Sequence, residues 1–211
     1  MPPPGVRLSS PAEATAIVLA GGRSRRFGRD KLLEPYRGVP MLNGVIGRVA
    51  EVCPHVVVVA AAAGSLPGVP SGLGVRVVRD AREDQGPLAG LATGLSAARG
   101  RVALVAAGDM PDLRVPVLRA LLEAGEAPDV EAVALQEGTA FRPLPCVVAV
   151  EPARRTAERL LEAGERRLRA LLGALRLAVV PEDRWVGLDP ERRTLLDVDE
   201  PADLERLDPG R

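Results

Sequence analysis

The chain has 211 residues, of which 46% are hydrophobic and 2% aromatic, and its 28 basic residues balance 28 acidic ones. This length suits one substantial domain rather than two. Because the formal net charge is zero, no global field draws the protein to nucleic acid or to a membrane surface. An anionic ligand must therefore be bound by a local cluster of charges.

Cysteine usage and the amino-terminal residues bear on the compartment. Cys53 and Cys146 are far apart and neither belongs to a CxxC motif, so the pattern indicates neither a disulfide framework nor a zinc site. The first residues lack the apolar core of a signal peptide, and no apolar run approaches the ~20 residues that span a bilayer. We expect a cytoplasmic protein with a disordered lead-in at residues 1–14 and a single domain at residues 15–208.

Apolar patterning predicts strands that alternate with helices. In chain order, the predicted elements are strand 15–20, helix 39–52, strands 55–61 and 74–80, helix 86–98, strand 101–109, helix 115–125, strands 131–136 and 144–150, a helical stretch 152–175 broken near Gly164, strand 175–181 and a closing helix 200–207. This order predicts a three-layer α/β/α domain with a mostly parallel, Rossmann-like sheet. In such sheets, ligands bind beyond the carboxyl ends of the strands.

The segment that follows the first strand, LAGGRSRRFGRDK at residues 19–31, is rich in glycine and cations. Paired glycines let the backbone turn sharply and bring its amides close to an anion. Its polar donors are Ser24, Arg23, Arg25, Arg26, Arg29 and Lys31. The composition predicts a cradle for a polyphosphate, although a solvated basic loop would have the same composition. Neither GxxxxGK[ST] nor GxGxxG is present, so the cradle is of another kind.

Two acidic residues end predicted strands of the same sheet. Asp80 ends the strand RVVRD, and Asp109 follows VALVAAG. The fold hypothesis brings both to the edge that carries the glycine loop. A carboxylate beside a bound triphosphate requires a cation between them, and Mg²⁺ is the natural choice because it prefers oxygen ligands. For Asp80, a plain strand-ending turn explains the pattern equally well.

The glycine loop resembles the LAGGxSxRMGxDK signature of the nucleotidyltransferases that act on molybdopterin. Further blocks resemble that family in the same order over roughly residues 16–207: GPLAG (86–90), GDMP (108–111), FRPLPCVV (141–148), EAGERRLRALL (162–172) and LDVDEPADL (196–204). The AGERR block and the D-x-D-x-P ending are similar to those of molybdenum cofactor guanylyltransferases, which join GMP from GTP to molybdopterin and release pyrophosphate.

This resemblance implies a nucleotidyltransferase fold and a set of site residues. By motif position, the nucleotide contacts would be Leu19, Ala20, Gly21, Gly22, Lys31, Asp80 and Asp109, with Lys31 and Asp109 as the catalytic residues and Asp109 as the Mg²⁺ ligand. The implied substrates are GTP and molybdopterin, with molybdoenzymes or their chaperones as candidate acceptors of the product. We expect a monomer that binds no nucleic acid and no membrane.

Three positions depart from the family pattern. Phe27 stands where methionine is usual, which affects only packing, and Gly108 replaces a cysteine without removing a chemical group. The strand that begins at His55 ends in Val and Ala where relatives can carry an asparagine that faces the nucleotide. We therefore assign no binding role to that strand.

The implied chemistry agrees with what the sequence contains. An attacking phosphate is already an anion and needs no general base, so the single histidine, His55, is interpreted as structural or exposed rather than catalytic. The reaction instead needs two polyanions held in line and charge neutralisation on the leaving pyrophosphate, which Arg26 and Lys31 can supply. Roles at the metal or the acceptor stay open for Asp199, Arg142, Arg166 and Arg167.

Two alternatives remain. The first is another nucleotidyltransferase with the same loop: a molybdopterin cytidylyltransferase, or an enzyme for a sugar or polyol phosphate. Related cytidylyl enzymes tend to have LAAG where this chain has LAGG, which favours guanine by one residue. The second is a non-catalytic nucleotide-binding module, and the presence of both Lys31 and Asp109 argues against it.

Overall fold

The computed structural model describes residues 14–21, 27, 30–63, 65–70, 72–80 and 85–207. The strands of the main sheet are β1 (Ala14–Ala20), β4 (His55–Ala61), β5 (Val75–Asp80), β6 (Val102–Ala107), β7 (Ala132–Glu137), β8 (Ala140–Ala149) and β9 (Leu177–Val180), and a small hairpin is formed by β2 (Pro35–Tyr36) and β3 (Val39–Pro40). The α-helices are α1 (Met41–Ala50), α2 (Gly86–Ala97), α3 (Val115–Ala124), α4 (Val150–Glu162), α5 (Leu168–Gly173), α6 (Glu182–Leu188) and α7 (Pro201–Leu207). Short 3₁₀ helices lie at Lys31–Leu33 and Arg193–Leu195.

The main sheet has the strand order β5-β4-β1-β6-β8-β7-β9. Its pairs are parallel except those of β8, which runs antiparallel to both β6 and β7. The helices that separate the parallel strands in sequence cover the two faces of the sheet, as crossover connections require.

Two apolar clusters fill the space between the sheet and the helices. Alternate residues of β1 belong to different clusters: Val18 packs with α1 and α3, whereas Ile17 packs with α2, α4 and α5. Because helices cover both faces, the central strands are apolar throughout, which is why β4 reads as an unbroken valine run. The prediction of a three-layer α/β domain with a mostly parallel sheet is confirmed.

The start of α1 differs from the prediction. The sequence pattern placed the helix from residue 39, but Val39 and Pro40 form a hairpin with Pro35 and Tyr36, and the helix begins at Met41. The hairpin turn has positive φ at Arg37 (48°) and Gly38 (82°). Positive φ at both central residues is typical of a two-residue hairpin turn, although arginine is an uncommon residue there.

Other boundaries agree to within a few residues. The long carboxyl-terminal helical stretch is broken as predicted, because Gly164 has φ +84° between α4 and α5. Helix α6 was not predicted. Its Trp185 is fully buried and donates its indole N–H to the Gln136 carbonyl at 2.7 Å. No helix in the described ranges is both long and apolar enough to cross a membrane. Residues 1–13 of the expected lead-in lie outside the described residues.

Candidate functional site

Strand register brings the ends of β5, β4, β1 and β6 to one edge of the sheet. Leu19 lies opposite Val59 on one side and Ala107 on the other, and Ala61 lies opposite Asp80. Gly21 directly follows the end of β1 at this edge, and Asp109 lies two residues beyond the end of β6. Neighbouring strands are about 4.8 Å apart, so Asp80 lies roughly 10 Å from β1 across the sheet. The edge therefore offers charged groups on both sides of the end of β1.

Lys31 is positioned by its immediate neighbours in sequence. Asp30 is the N-cap of the 3₁₀ helix, and its carboxylate accepts a hydrogen bond from the Leu32 amide at 3.2 Å. Leu32 is buried against Gly108, where an added Cβ would lie 3.2 Å from Leu32 Cδ2 and 3.1 Å from Leu42 Cδ1. The missing side chain at Gly108 thus lets the turn that carries Lys31 pack directly beside Asp109.

The Lys31 ammonium contacts three oxygens. Its Nζ lies 2.8 Å from Asp109 Oδ2, 3.1 Å from Asp199 Oδ1 and 2.6 Å from the Val198 carbonyl oxygen, and 13% of the side chain is exposed. Burial by itself lowers the pKa of Lys31, but the attraction of Asp109 and Asp199 outweighs it and raises the pKa above 10.5. Lys31 is therefore a fixed positive charge at neutral pH. It is also the only lysine among the 28 basic residues of the chain.

The loop residues before Lys31 are described only in part. Leu19 is half-buried and accepts a hydrogen bond from the Gly108 amide through its carbonyl, Ala20 is buried, and Gly21 is exposed. Of the described atoms, only the Ala61 nitrogen, at 3.8 Å, would meet a Cβ added at Gly21. Packing within the described protein therefore does not demand glycine there. Gly22 and the arginines of the predicted cradle, Arg23, Arg25, Arg26 and Arg29, lie outside the described residues, as does Ser24.

Asp80 is held on the far side of the edge from Lys31. Its Oδ1 accepts a hydrogen bond from the Thr93 hydroxyl at 3.2 Å, and its Oδ2 lies 3.8 Å from where a Cβ of Gly90 would be. The GPLAG block therefore brings the helix α2 close to this carboxylate. Asp80 and Lys31 thus lie at the same edge of the sheet, on either side of the end of β1.

The cluster around Lys31 is richer in carboxylates than in cations. Asp109 and Asp199 share one ammonium. Asp197 is exposed, but its pKa is raised by partial desolvation and by the nearby charges of Asp199 and Asp109, an effect that Arg142 opposes. Among the described residues, no three acidic, histidine or cysteine side chains are grouped closely enough to hold a metal by themselves. A cation here would need ligands from elsewhere, such as phosphate oxygens.

Three arginines proposed for a second anion already have protein partners. Arg142 Nε lies 3.3 Å from Glu137 Oε2. Arg166 donates to the carbonyls of Leu161 and Glu165, and thereby caps the end of α4. Arg167 and the backbone amides of residues 166 and 167 bond the Glu165 carboxylate, which lowers the pKa of Glu165 to about 2. Arg166 is thus the least available of the three.

The AGERR block also supports the GPLAG block. The Leu88 amide donates to the Arg166 carbonyl at 3.2 Å, and a Cβ at Gly86, which has φ +75°, would lie 3.0 Å from Arg166 Cβ. These two sequence blocks therefore form one packed unit beside Asp80. Their role in the described structure is to hold the start of α2.

Sequence reasoning missed one contributor to the Lys31 cluster. The Val198 carbonyl accepts a bond from Lys31, and the Val198 amide donates to the Asp109 carbonyl at 3.0 Å. Backbone groups leave no residue-type signal, so only the D-x-D-x-P pattern around Val198 pointed to this segment. Asp199, which the sequence left open, is brought into contact with Lys31.

The sheet order and the charged edge define an α/β protein of the nucleotidyltransferase class. The fold is similar to the solved structure of molybdopterin-guanine dinucleotide biosynthesis protein A from Archaeoglobus fulgidus, with a TM-score of 0.76 and 24% identity over 92% of this chain and 96% of that one. Residues 16–179 match the MobA-like NTP transferase domain, and the chain belongs to that family.

Relatives align with nearly the whole chain. A protein of Chloroflexus aggregans named "probable molybdenum cofactor guanylyltransferase" is 34% identical over 90% of this chain and 91% of its own length. A protein of Mycobacterium avium with the same name is also 34% identical, over 97% of this chain and 100% of its own length. The resemblance to molybdenum cofactor guanylyltransferases, inferred from the glycine loop together with the AGERR block and the D-x-D-x-P ending, is confirmed.

Proposed function

We propose that the protein is a molybdenum cofactor guanylyltransferase, which transfers GMP from GTP to molybdopterin. The observation that carries the proposal is the single lysine held between Asp109 and Asp199 at the carboxyl edge of the sheet. The proposal is supported by relatives of that name, which align with most of the chain. It assigns Leu19, Ala20, Gly21 and Gly22 to the nucleotide and Asp80 to the nucleoside.

In the proposed reaction, a phosphate oxygen of molybdopterin attacks the α-phosphorus of GTP. A new P–O bond forms, the bond from the α-phosphorus to the bridging oxygen breaks, and pyrophosphate leaves with its electron pair. The nucleophile is already ionised, so the chain needs no general base. Lys31 would bind the phosphates and neutralise charge that develops on the leaving group.

Mg²⁺ fits the donor set of the site. Asp109 supplies a hard carboxylate oxygen, and the excess of negative charge around Lys31 favours a divalent cation. Mg²⁺ is commonly held by one or two carboxylates together with substrate phosphates rather than by an all-protein cage. When bound, the ion would neutralise phosphate charge, and Asp109 would hold it.

The proposal also covers the compartment, the oligomeric state and the acceptors of the product. We place the reaction in the cytoplasm, with a monomer that passes its product to molybdoenzymes or their chaperones. The even balance of charge gives no reason to include nucleic acid or a membrane as a partner.

Steady-state pyrophosphate release tests the proposal. The full chain is incubated with molybdopterin, Mg²⁺ and GTP, CTP, ATP or UTP in turn, and we expect GTP to give the highest kcat/KM. Equal or faster turnover of CTP would replace the proposal by the cytidylyl activity. The absence of turnover with every nucleotide, despite nucleotide binding, would favour a non-catalytic module.

Lys31→Ala tests the central assignment in the same assay. Loss of a preorganised charge contact in a partly desolvated site costs on the order of 10²- to 10³-fold in rate. Arg48→Ala is the control, because Arg48 is an exposed cation of α1 that pairs with Glu51, three residues further along the chain. A Lys31→Ala protein as active as the Arg48→Ala protein would remove Lys31 from the phosphate site.

A further inference from the structure

Asp112 is a buried carboxylate outside the site described above. Only 3% of its side chain is exposed. Its Oδ2 accepts hydrogen bonds from the Tyr36 hydroxyl at 2.8 Å and from Arg193 Nε at 2.6 Å, and its Oδ1 lies 3.2 Å from Arg37 Nη1. A buried charge is tolerated only with such partners. Both carboxylate oxygens of Asp112 are therefore committed to holding these three side chains.

Asp112, Tyr36 and Arg193 together contact both ends of the segment Arg193–Leu207, which we call the carboxyl-terminal strap. Arg193 is its first residue. At the other end, the Leu207 carbonyl oxygen accepts a hydrogen bond from Arg193 Nη2 at 3.3 Å and lies 3.3 Å from the Tyr36 hydroxyl oxygen, whose single hydrogen already bonds Asp112. Tyr36 and Arg193, which bond Asp112, are thus also the two side chains that contact the Leu207 carbonyl at the end of α7.

Apolar packing connects the two ends of the strap to its middle. Val198, Leu204 and Leu207 are buried in one small apolar cluster with Tyr36 and other side chains. Next to Val198, the amides of Asp199 and Glu200 each donate to the Asp203 carboxylate at 2.9 Å, which fixes the start of α7. The position of Val198 and Asp199 therefore depends on where the two ends of the strap are held.

The middle of the strap is the part that contacts Lys31. Val198 presents its carbonyl to the ammonium and donates its amide to Asp109, while Asp199 supplies a carboxylate oxygen. The bonds that the structure describes for Asp112 end on Tyr36, Arg193 and Arg37, and from Tyr36 and Arg193 the contacts lead through the strap to Lys31.

We propose that Asp112, acting through Tyr36 and Arg193, is a positioning residue that sets the strap against Lys31 and so orients the ammonium in the site. Its catalytic consequence rests on the proposed function, whereas its effect on Lys31 does not. A merely structural Asp112 would change stability without changing the surroundings of Lys31.

The chain is suited to a direct test, because it contains one lysine and one tyrosine. NMR of ¹⁵N-labelled lysine reports the Lys31 ammonium, and the absorbance of tyrosinate reports the titration of Tyr36. The pKa of Tyr36 is raised by burial and by its bond to Asp112, against the influence of Arg193 and Arg37. These readouts need no substrate.

The variants are Asp112→Asn and Tyr36→Phe, with Thr15→Val as the control. The Thr15 hydroxyl bonds the backbone of Arg99 at the opposite end of β1, so its loss lowers stability without touching the strap. We expect Asp112→Asn to lower the pKa of Tyr36 and to shift the Lys31 ammonium signal, and Tyr36→Phe to shift that signal as well. With GTP and molybdopterin, kcat/KM of both variants should fall ~10- to 100-fold, because a small misplacement of a reacting group slows the reaction by such factors. Thr15→Val should change neither the Lys31 signal nor kcat/KM.

The outcomes separate the two proposals. A Lys31 signal unchanged in both variants, or shifted equally by Thr15→Val, overturns the positioning role. A shifted Lys31 signal with unchanged turnover supports the positioning role and overturns the assignment of Lys31 in the proposed reaction. If Asp112→Asn does not fold, Tyr36→Phe decides the matter, because it leaves the pair of Asp112 and Arg193 intact.

Discussion

At the scale of single residues, the identity of the cation at position 31 is testable. Three oxygens converge on the compact Lys31 ammonium, whose side chain is 13% exposed. The planar guanidinium of arginine is larger and presents its donors as a rigid fork. Lys31→Arg should therefore lose one charge-assisted hydrogen bond, worth about 1.5–3 kcal/mol, and slow turnover roughly 10- to 100-fold. Steady-state pyrophosphate release measures this, and wild-type activity would mean that only the charge matters.

The carboxylate of Asp109 has a different expected role. It faces the Lys31 ammonium with 23% of its side chain exposed, and its backbone, rather than its carboxylate, holds Val198. Asp109→Asn should thus abolish most turnover and leave the thermal unfolding curve cooperative. The pair of measurements is decisive: an unfolded variant, or one with near wild-type turnover, would contradict the role of Asp109 in binding the metal and the phosphates.

Residue type decides what the sequence could foretell about this site. Lys31 and Asp109 stand in sequence motifs that indicate phosphate and metal binding, and the structure brings their side chains into contact. The Val198 carbonyl carries no such signal, because every residue has one. Asp112 and Tyr36 form their bond across 76 positions of sequence, and nothing in either local pattern predicts that separation. What escaped prediction is the part of the cluster built from tertiary contacts.

At the scale of elements, two helical glycines should respond oppositely to alanine. In α2, a Cβ at Gly94 would lie 2.6 Å from Ile17 Cγ2 and 3.0 Å from Val59 Cγ2, so the helix would have to move away from the sheet. Overpacking of this kind costs about 1–3 kcal/mol of the free energy of unfolding. In α1, nothing described lies within 4 Å of a Cβ at Gly47. Gly47→Ala should stabilise by about 0.5–1 kcal/mol.

Denaturant unfolding of both variants checks these signs. The glycine in each helix is equally unfavourable for helix propensity, so the comparison isolates the packing of α2 on β1 and β4. A Gly94→Ala protein stabilised as much as Gly47→Ala would contradict the close approach of α2 to the sheet.

Elements also differ in how far pattern alone reveals them. The buried strand β4 was predicted to its last residue, because a run of valines bounded by loops has few other interpretations. The hairpin of β2 and β3 was not predicted, since each strand has two residues and its turn places Arg37 at positive φ. A strand of two residues spans a single period of the side-chain alternation, which is too little for periodicity to detect.

At the scale of the whole molecule, alternation of strands and helices was enough to predict the layers and the mostly parallel sheet. It did not give the antiparallel insertion of β8 between β6 and β7. The consecutive strands β7 and β8 are separated only by Gly138 and Thr139, too short for the crossover that a parallel pair requires. That connection places β9 at the edge and leaves the site edge to β5, β4, β1 and β6.

The ion pairing at this edge predicts that nucleotide and metal stabilise the molecule cooperatively. In the structure, Lys31 and Asp109 neutralise each other. In the proposed function, GTP draws Lys31 away from Asp109, and a divalent cation draws Asp109 away from Lys31. GTP alone therefore leaves the Asp109 carboxylate uncompensated, and the cation alone leaves Lys31 with Asp199 as its ionic partner. When both bind, each freed charge has a partner. Coupling of this kind is reciprocal between the two ligands.

Thermal unfolding with GTP, with Mg²⁺ and with both therefore should show a combined shift larger than the sum of the separate shifts. A ligand at 100 times its Kd stabilises by ~2.7 kcal/mol, which for a protein of this size is a rise in Tm of roughly 5–10 °C. Asp109→Asn is the matched variant: it should lose the excess over additivity, and its response to GTP alone should not fall, because Lys31 then has one competitor fewer. Additive shifts in the wild-type protein, or an excess that survives Asp109→Asn, would show that the pair of Lys31 and Asp109 does not couple the two ligands.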